Sequence, residues 1–571
     1  MKRFASPVIA AAAAAILAAE SVVAQGVAGA YLSARQADRA GDVAAAAEFY
    51  ERALRRDREN AALMERAVAS MLAAGMLRDA APIAADLVAA APQHRIGNLA
   101  LVAESFAEGR FDGALSRLRS TPEGFHPLVG GLLEAWAARG AGVGDAEAPL
   151  AELEERPLFD TFADYHRGLL RAAAGEHENA IVAFEAALGQ MRGPTARLAL
   201  AYGASLEAVG RVEDARALYA ETNAAALGDA ALEAALARIE SGEAAQPLVS
   251  TPAQGAAEAL QGVASVYANE SGRRFALVYA RIAAELDPGL ADAWLLVAEL
   301  FERQSQPALA LAAYEAAPDD PASRIRIDIG RAGALAALER EDAAAEALRA
   351  LVAAEPEEIE AHVALGDLLR DAERWEEAAD AYGEAIDLAE SEGRENWVLY
   401  YRRGIAFERA GLWDLAEPDF RRALEIEPEQ PLVLNYLGYS LVEKRRNLDE
   451  ARGMIERAVG LRPDDGYITD SLGWVLYRLG DFEEAVSWLE KAVELAPYDP
   501  VINDHLGDAY WMVGRRMEAE FQWKRARSLE PEPSDLARIK RKLERGLDAV
   551  LAEEDREAAA AASASSDANG G

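Results

Sequence analysis

Apolar residues in this chain recur at helical spacing, and the helices come in pairs. In DSLGWVLYRLGDFEEA, Asp470 to Ala485, Leu472 and Leu476 lie one helical turn apart, on one face. Gly480 breaks the run, and Ala485, Trp488 and Leu489 begin a second apolar stripe. The pattern predicts two antiparallel helices, the first ending where Gly480 lets the chain reverse. With Gly473 as anchor, the same place recurs at Ala264, Ala298, Ala332, Gly366, Gly404, Gly438 and Gly507, at spacings of 34 to 38 residues. Twelve or thirteen residues after each anchor stands an alanine, from Ala276 to Ala519, and most units close on a proline such as Pro463 or Pro497. Small residues at these places let two helix backbones approach, and proline cannot lie inside the second helix. Each hairpin leaves an apolar face that only its neighbour covers, so the expected fold is an all-α solenoid.

A weaker copy fills the first half. Gly41, Ala46, Tyr50 and Ala53 fall in register, as do Gly168, Ala180 and Phe184, then Gly203, Ala215 and Tyr219. Between Thr121 and Pro157 the register blurs into a loop or a degenerate unit. The expected organisation is a signal peptide over 1–24 and a degenerate array of five or six repeats over 25–240. A linker or long loop over 241–255 and a regular array of about eight repeats over 256–532 follow. A capping helix over 533–552 and a disordered tail over 553–571 complete the chain. Period and residue types resemble the tetratricopeptide repeat (TPR), with W-x2-L-G-x2-Y, then A-x3-F, then A and P. The resemblance implies a right-handed superhelix of helix-turn-helix hairpins.

Charge and composition narrow the partners. A formal charge of −38 repels phosphate backbones, which argues against nucleic acid. The chain has no cysteine, which removes disulfides, thiol nucleophiles, thiolate metal sites and a lipid-modified cysteine. Lys2 and Arg3 precede a short apolar run from Val8 to Ala19, and Val22 and Ala24 suit a cut before Gln25. This is the layout of a cleavable export signal, and it predicts a periplasmic protein with no transmembrane segment after cleavage.

No catalytic motif emerges. The six histidines, His94, His126, His166, His177, His362 and His505, include no pair at zinc-helix spacing, and each reads as a surface or packing residue. The expectation is a non-enzymatic chain with no cofactor and no metal. What remains is a surface. Places three before, one after and four after each anchor share one side of the first helix, the side that lines the groove in TPR arrays. There stand Tyr401; Asn435 and Tyr439; Asp470, Trp474 and Tyr477; and Asp504, Asp508 and Trp511. Aromatic rings beside amides and carboxylates are the chemistry of protein-binding hot spots. The acidic lining disfavours capture of a carboxylate tail.

From Leu434 to Glu532, the elements LNYLGY, DSLGW and NDHLGDAYW resemble a block of exported TPR proteins of Gram-negative bacteria. That group includes a lipoprotein adaptor that presents cell-wall hydrolases to a C-terminal-processing protease. The resemblance implies a scaffold whose partners are a periplasmic protease and its substrates, in envelope protein turnover. The alternative it leaves open is a co-chaperone or accessory subunit of outer-membrane or polysaccharide export.

Overall fold

The structure, a computed structural model, describes residues 27–156, 158–226, 228–268 and 272–556. The expected signal segment and residues 557–571 of the expected tail lie outside the described residues. Among the described residues there is no strand.

Helical hairpins follow one another in two compact units that divide at Ala354/Glu355. The first unit opens with six hairpins, from Val27–Ala40 with Val43–Leu54 to Ala196–Ala208 with Val212–Ala226. A single helix, Ala230–Ser241, precedes three more hairpins, from Pro252–Tyr267 with Arg273–Leu286 to Arg324–Ala337 with Glu341–Ala354. The blurred register has a physical form: Pro127–Ala141 pairs with a helix of only two turns, Ala148–Glu154.

The units do not divide at the 241–255 stretch. Only 242–251 is non-helical there, and Val249 within it is buried at 2% exposure. Thr251 then starts Pro252–Tyr267 through a capping box with Gln254. The loop is thus packed and capped at its C-terminal end.

In the second unit, five hairpins run from Ile359–Asp371 with Trp375–Ser391 to Pro500–Met512 with Arg516–Ser528. The anchor glycine explains their tightness. A Cβ on Gly473 would lie 2.5 Å from Leu489 Cγ on the facing helix, closer than real contacts allow. Ala485 and Ala492 are fully buried beside it. Gly480 closes Gly466–Leu479 in the left-handed region (φ 90°), and the Asp481 N–H donates to the Leu476 carbonyl at 2.9 Å. The first helices Gly466–Leu479 and Pro500–Met512 start at Asp465 and Asp499, whose carboxylates accept from two first-turn N–H groups each.

The C-terminal cap is two helices rather than one. Pro533–Arg545 ends at Gly546 (φ 80°), and 547–556 is helical again, past the expected onset of disorder at 553. The break lets Gly546 sit on Trp511, where a Cβ would come within 2.7 Å of the indole. Ile539, Leu547 and Val550 are thereby fully buried.

Candidate binding groove

Four successive first helices of the second unit carry the nine groove residues: Trp397–Arg409, Pro431–Glu443, Gly466–Leu479 and Pro500–Met512. Helical spacing puts each set on one face, but the same face also meets the first helix of the next hairpin. The structure therefore sorts the nine by what they touch.

Tyr401 is half-buried among rings, 6.0 Å from Trp397, 6.1 Å from Phe420 and 5.9 Å from Tyr436, the last edge-on. Burial raises its hydroxyl pKa. Asn435 and Tyr439 are half-buried on the next helix. The Asn435 side-chain oxygen is buried with no hydrogen-bond partner among the described residues. Tyr439 is held in its neutral form by burial first, then by the negative charges of Glu443 and Asp470.

Asp470, Trp474 and Tyr477 are buried, at 6%, 6% and 9% exposure. Trp474 lies parallel to Tyr477 (4.7 Å, 6°) and to His505 (3.9 Å, 14°). Its indole N–H donates to Glu443 Oε1 at 2.7 Å. His505 Nδ1 is 2.9 Å from Asp470 Oδ2. Burial opposes a charged His505, but the Asp470 charge and hydrogen bond, with Asp504 and Asp508 behind them, outweigh it and raise the pKa.

Asp504 and Asp508 are also buried, and their charges are met by the chain itself. Lys542 of Pro533–Arg545 places Nζ 2.7 Å from Asp504 Oδ2 and 2.6 Å from Asp508 Oδ1. Arg538 adds a bond to Asp508 Oδ2 at 3.2 Å, and the Trp523 indole donates to Asp508 Oδ1 at 2.9 Å. Burial first, then the like charge of Asp508, raises the Asp504 carboxyl, with Lys542 opposing both. The acidic lining is thus offset from within at this end, so it supplies no standing repulsion against an anionic tail. On the same cap helix Arg538 also pairs with Glu554, and Arg541 with Glu553 and Glu554, while Lys540 is exposed. Trp511 is half-buried under the Arg516 guanidinium at 4.4 Å, and its indole N–H has no partner among the described residues.

Sequence reasoning read His505 as a surface or packing residue and Arg538 and Lys542 as charges of the capping helix, and paired none of them, nor Glu443, with the groove residues. The repeat itself held the signal. First helices of adjacent hairpins stack in register, so residues one period apart face each other. Asp504 and Arg538, Asp508 and Lys542, and Asp470 and His505 are separated by 34, 34 and 35 positions. Among the described residues no cluster of three metal-ligating side chains occurs, and no helix is long and apolar enough to cross a membrane.

A tetratricopeptide-repeat family model fits four overlapping stretches, 330–395, 363–431, 401–466 and 437–500. The TPR repeat-containing protein PA4667 of Pseudomonas aeruginosa is 41% identical over 83 residues, an alignment that spans 14% of each chain. Among solved structures, YrrB, a TPR protein with an unusual peptide-binding site, is 23% identical with a TM-score of 0.28. That match covers 34% of this chain and 99% of YrrB. The pilF protein of Pseudomonas aeruginosa is 20% identical with a TM-score of 0.29, covering 36% of this chain and 87% of that one. The hairpins, their anchor spacing and the matched stretches agree: the chain carries tetratricopeptide repeats folded as a TPR solenoid, generally a non-catalytic scaffold that binds protein partners.

Proposed function

We propose that this chain is an exported interaction scaffold that holds an extended stretch of a partner polypeptide along the second unit's groove, around Asn435 and Tyr439. The observation that carries the reading is an unmet hydrogen bond. Among the described residues the Asn435 amide oxygen is a buried acceptor without a partner, and such a group costs about 1–3 kcal/mol until something donates to it. On the same series of first helices, the Trp511 indole N–H is an unmet donor. An extended peptide backbone offers both a donor and an acceptor at every residue. By contrast, Asp470, Trp474 and Asp508 already have partners within the chain, and Asp504 is met at Oδ2, while its Oδ1 has none among the described residues.

The export layout at the N-terminus and the block from Leu434 to Glu532 support a periplasmic setting, with an envelope protease and its substrates as the partners. A photo-reactive phenylalanine analogue tests this when placed at Tyr439, at Trp511 and, as a control, at Met517. Met517 is 84% exposed and lies on the second helix of its hairpin. The expected outcome is crosslinks from 439 and 511 to one envelope protease or hydrolase, absent from 517, in a chain released by osmotic shock. Retention of the chain in the cytoplasm would overturn the export reading. Crosslinks from 517 but not from 439 would overturn the groove.

A further inference from the structure

The first unit holds a cavity of about 220 Å³ that the scaffold reading does not use. Its walls come from two regions far apart in sequence. Arg95 begins the helix Arg95–Ala107, while Phe125 and His126 lead into Pro127–Ala141. Opposite them stand Tyr267, which ends Pro252–Tyr267, and Phe275 and Tyr279 of Arg273–Leu286. The rings are set at angles, His126 edge-on to Tyr267 at 6.3 Å and Tyr267 tilted against Tyr279 at 6.5 Å. Phe275 is 57% exposed at the rim.

Arg95 is the one charged group among the described residues lining this cavity, beside the His126 imidazole and the Tyr267 and Tyr279 hydroxyls. In a chain of net charge −38, Arg95 makes no ion pair among the described residues, and neither does Arg156 nearby. Both positive charges, after burial, lower the pKa of His126 and keep its imidazole neutral. The buried His126 Nδ1 has no hydrogen-bond partner among the described residues. Neither His94 nor His126, at the N-caps of Arg95–Ala107 and Pro127–Ala141, bonds back to its helix, so both helices begin without a side-chain cap. Aromatic walls beneath an unpaired guanidinium call for an apolar body with one negative end. The volume lies below the roughly 300 Å³ at which sites for drug-sized ligands begin, so there is room for one ring and a short tail.

We propose that this cavity binds a small arylalkyl carboxylate, its ring among Tyr267, Phe275 and Tyr279 and its carboxylate on Arg95. A planar guanidinium suits a carboxylate because two parallel N–H groups meet its two oxygens. The site lies within the first unit and stands or falls independently of the groove.

Titration calorimetry of the full chain with 4-phenylbutyrate, beside the neutral 4-phenylbutan-1-ol, tests it. Expected is saturable one-to-one binding of the acid with Kd on the order of 1 mM or tighter, as suits about twelve heavy atoms. The alcohol is expected to bind at least ~10-fold more weakly, since it forgoes a charge-assisted pair. Arg95→Gln, at an exposed residue, should erase that preference without changing the melting temperature. Phe275→Ala should weaken acid and alcohol alike. Equal affinity for acid and alcohol, undiminished acid binding by Arg95→Gln, or no saturable binding would overturn the proposal.

Discussion

The two units build the same hairpin and then treat the face of their first helices differently. In the first unit that row is met by the unit's own later hairpin. Pro252–Tyr267 and Arg273–Leu286 pack on Ala61–Ala73, Arg95–Ala107, Pro127–Ala141 and Asp160–Ala173. Gly255 lies against the buried Trp136, and the Tyr165 hydroxyl donates to Glu258 Oε1 at 2.8 Å. Arg197 Nη2 sits 2.6 Å from Glu258 Oε2. In the second unit Lys542 and Arg538 close the C-terminal end, while among the described residues Asn435 and Trp511, and Asp504 at Oδ1, keep unmet polar atoms. A repeat array's groove is therefore not open by default. Its charged residues are consumed wherever the chain supplies a counter-charge, and the surface for partners is what remains.

The largest effect should come from breaking the first unit's seal. Glu258 is 4% exposed, and although burial would raise its carboxyl pKa, the charge and hydrogen bond of Arg197 hold it below the usual value. Arg197→Met strands that carboxylate and should cost about 3–5 kcal/mol. Hydrogen exchange resolved by mass spectrometry should show protection falling across Pro252–Tyr267 while the second unit is unaffected. Unchanged protection would mean that Trp136 and its apolar neighbours hold the hairpin without the ion pair.

Acid should separate the units by sign. The Trp136 indole N–H donates to His166 Nδ1 at 3.1 Å, which requires that nitrogen to be unprotonated. Burial lowers the His166 pKa to about 4, with Glu258 pulling the other way. Because the folded value is depressed, the contribution is complete above the unfolded value near 6.5 and is lost as pH falls from there to about 4. That loss amounts to about 3 kcal/mol. His505 is the reverse: its folded pKa is raised, so its contribution is complete below the unfolded value and fades as pH rises through the folded one. Urea unfolding followed by fragment-mapped proteolysis, at steps from pH 8 to pH 4.5, should show the first unit weakening first. His166→Gln should remove most of that loss. Parallel decline of both units, with no effect of His166→Gln, would refute the assignment.

Lys542→Met should cost less, about 2 kcal/mol, although Lys542 is only 1% exposed. Arg538 remains 3.2 Å from Asp508 and takes up part of the charge. Exchange protection over Pro533–Arg545 should fall, and adding Asp504→Asn and Asp508→Asn should recover part of it. A larger loss with no recovery would show that the cap is held by Ile539 and Leu547 packing around the lysine stem.

How much of this was legible in the sequence follows from range. The hairpin is local, so anchor glycines, alanines and closing prolines announce it, and Gly473 on Leu489 is the contact that the small residue implied. Pairings at one period are nearly local: Asp508 and Lys542 could have been found by reading charges 34 places apart. The groove list treated its face as free because it considered each helix alone. The first unit's seal had no such signal. Tyr165 and Glu258 are 93 positions apart, and Arg197 and Glu258 are 61, neither a multiple of the repeat. Only the path of the folded chain brings them together.

Trp474 tests most finely whether a groove residue can serve both the fold and a partner. Trp474→Phe keeps a ring between Tyr477 and His505 but removes the N–H that meets Glu443 Oε1. Glu443 is exposed, so water replaces the lost donor and the cost to the fold should be no more than about 1 kcal/mol. Trp523→Phe is the contrasting change, since its acceptor Asp508 is fully buried and no water reaches it. If Trp474 works only for the fold, Trp474→Phe should leave crosslinking from Tyr439 at its original yield. A several-fold loss of crosslinking at unchanged stability would mean that the indole N–H is shared with the bound chain. The second unit's groove would then extend from Asn435 across the helix that carries Trp474.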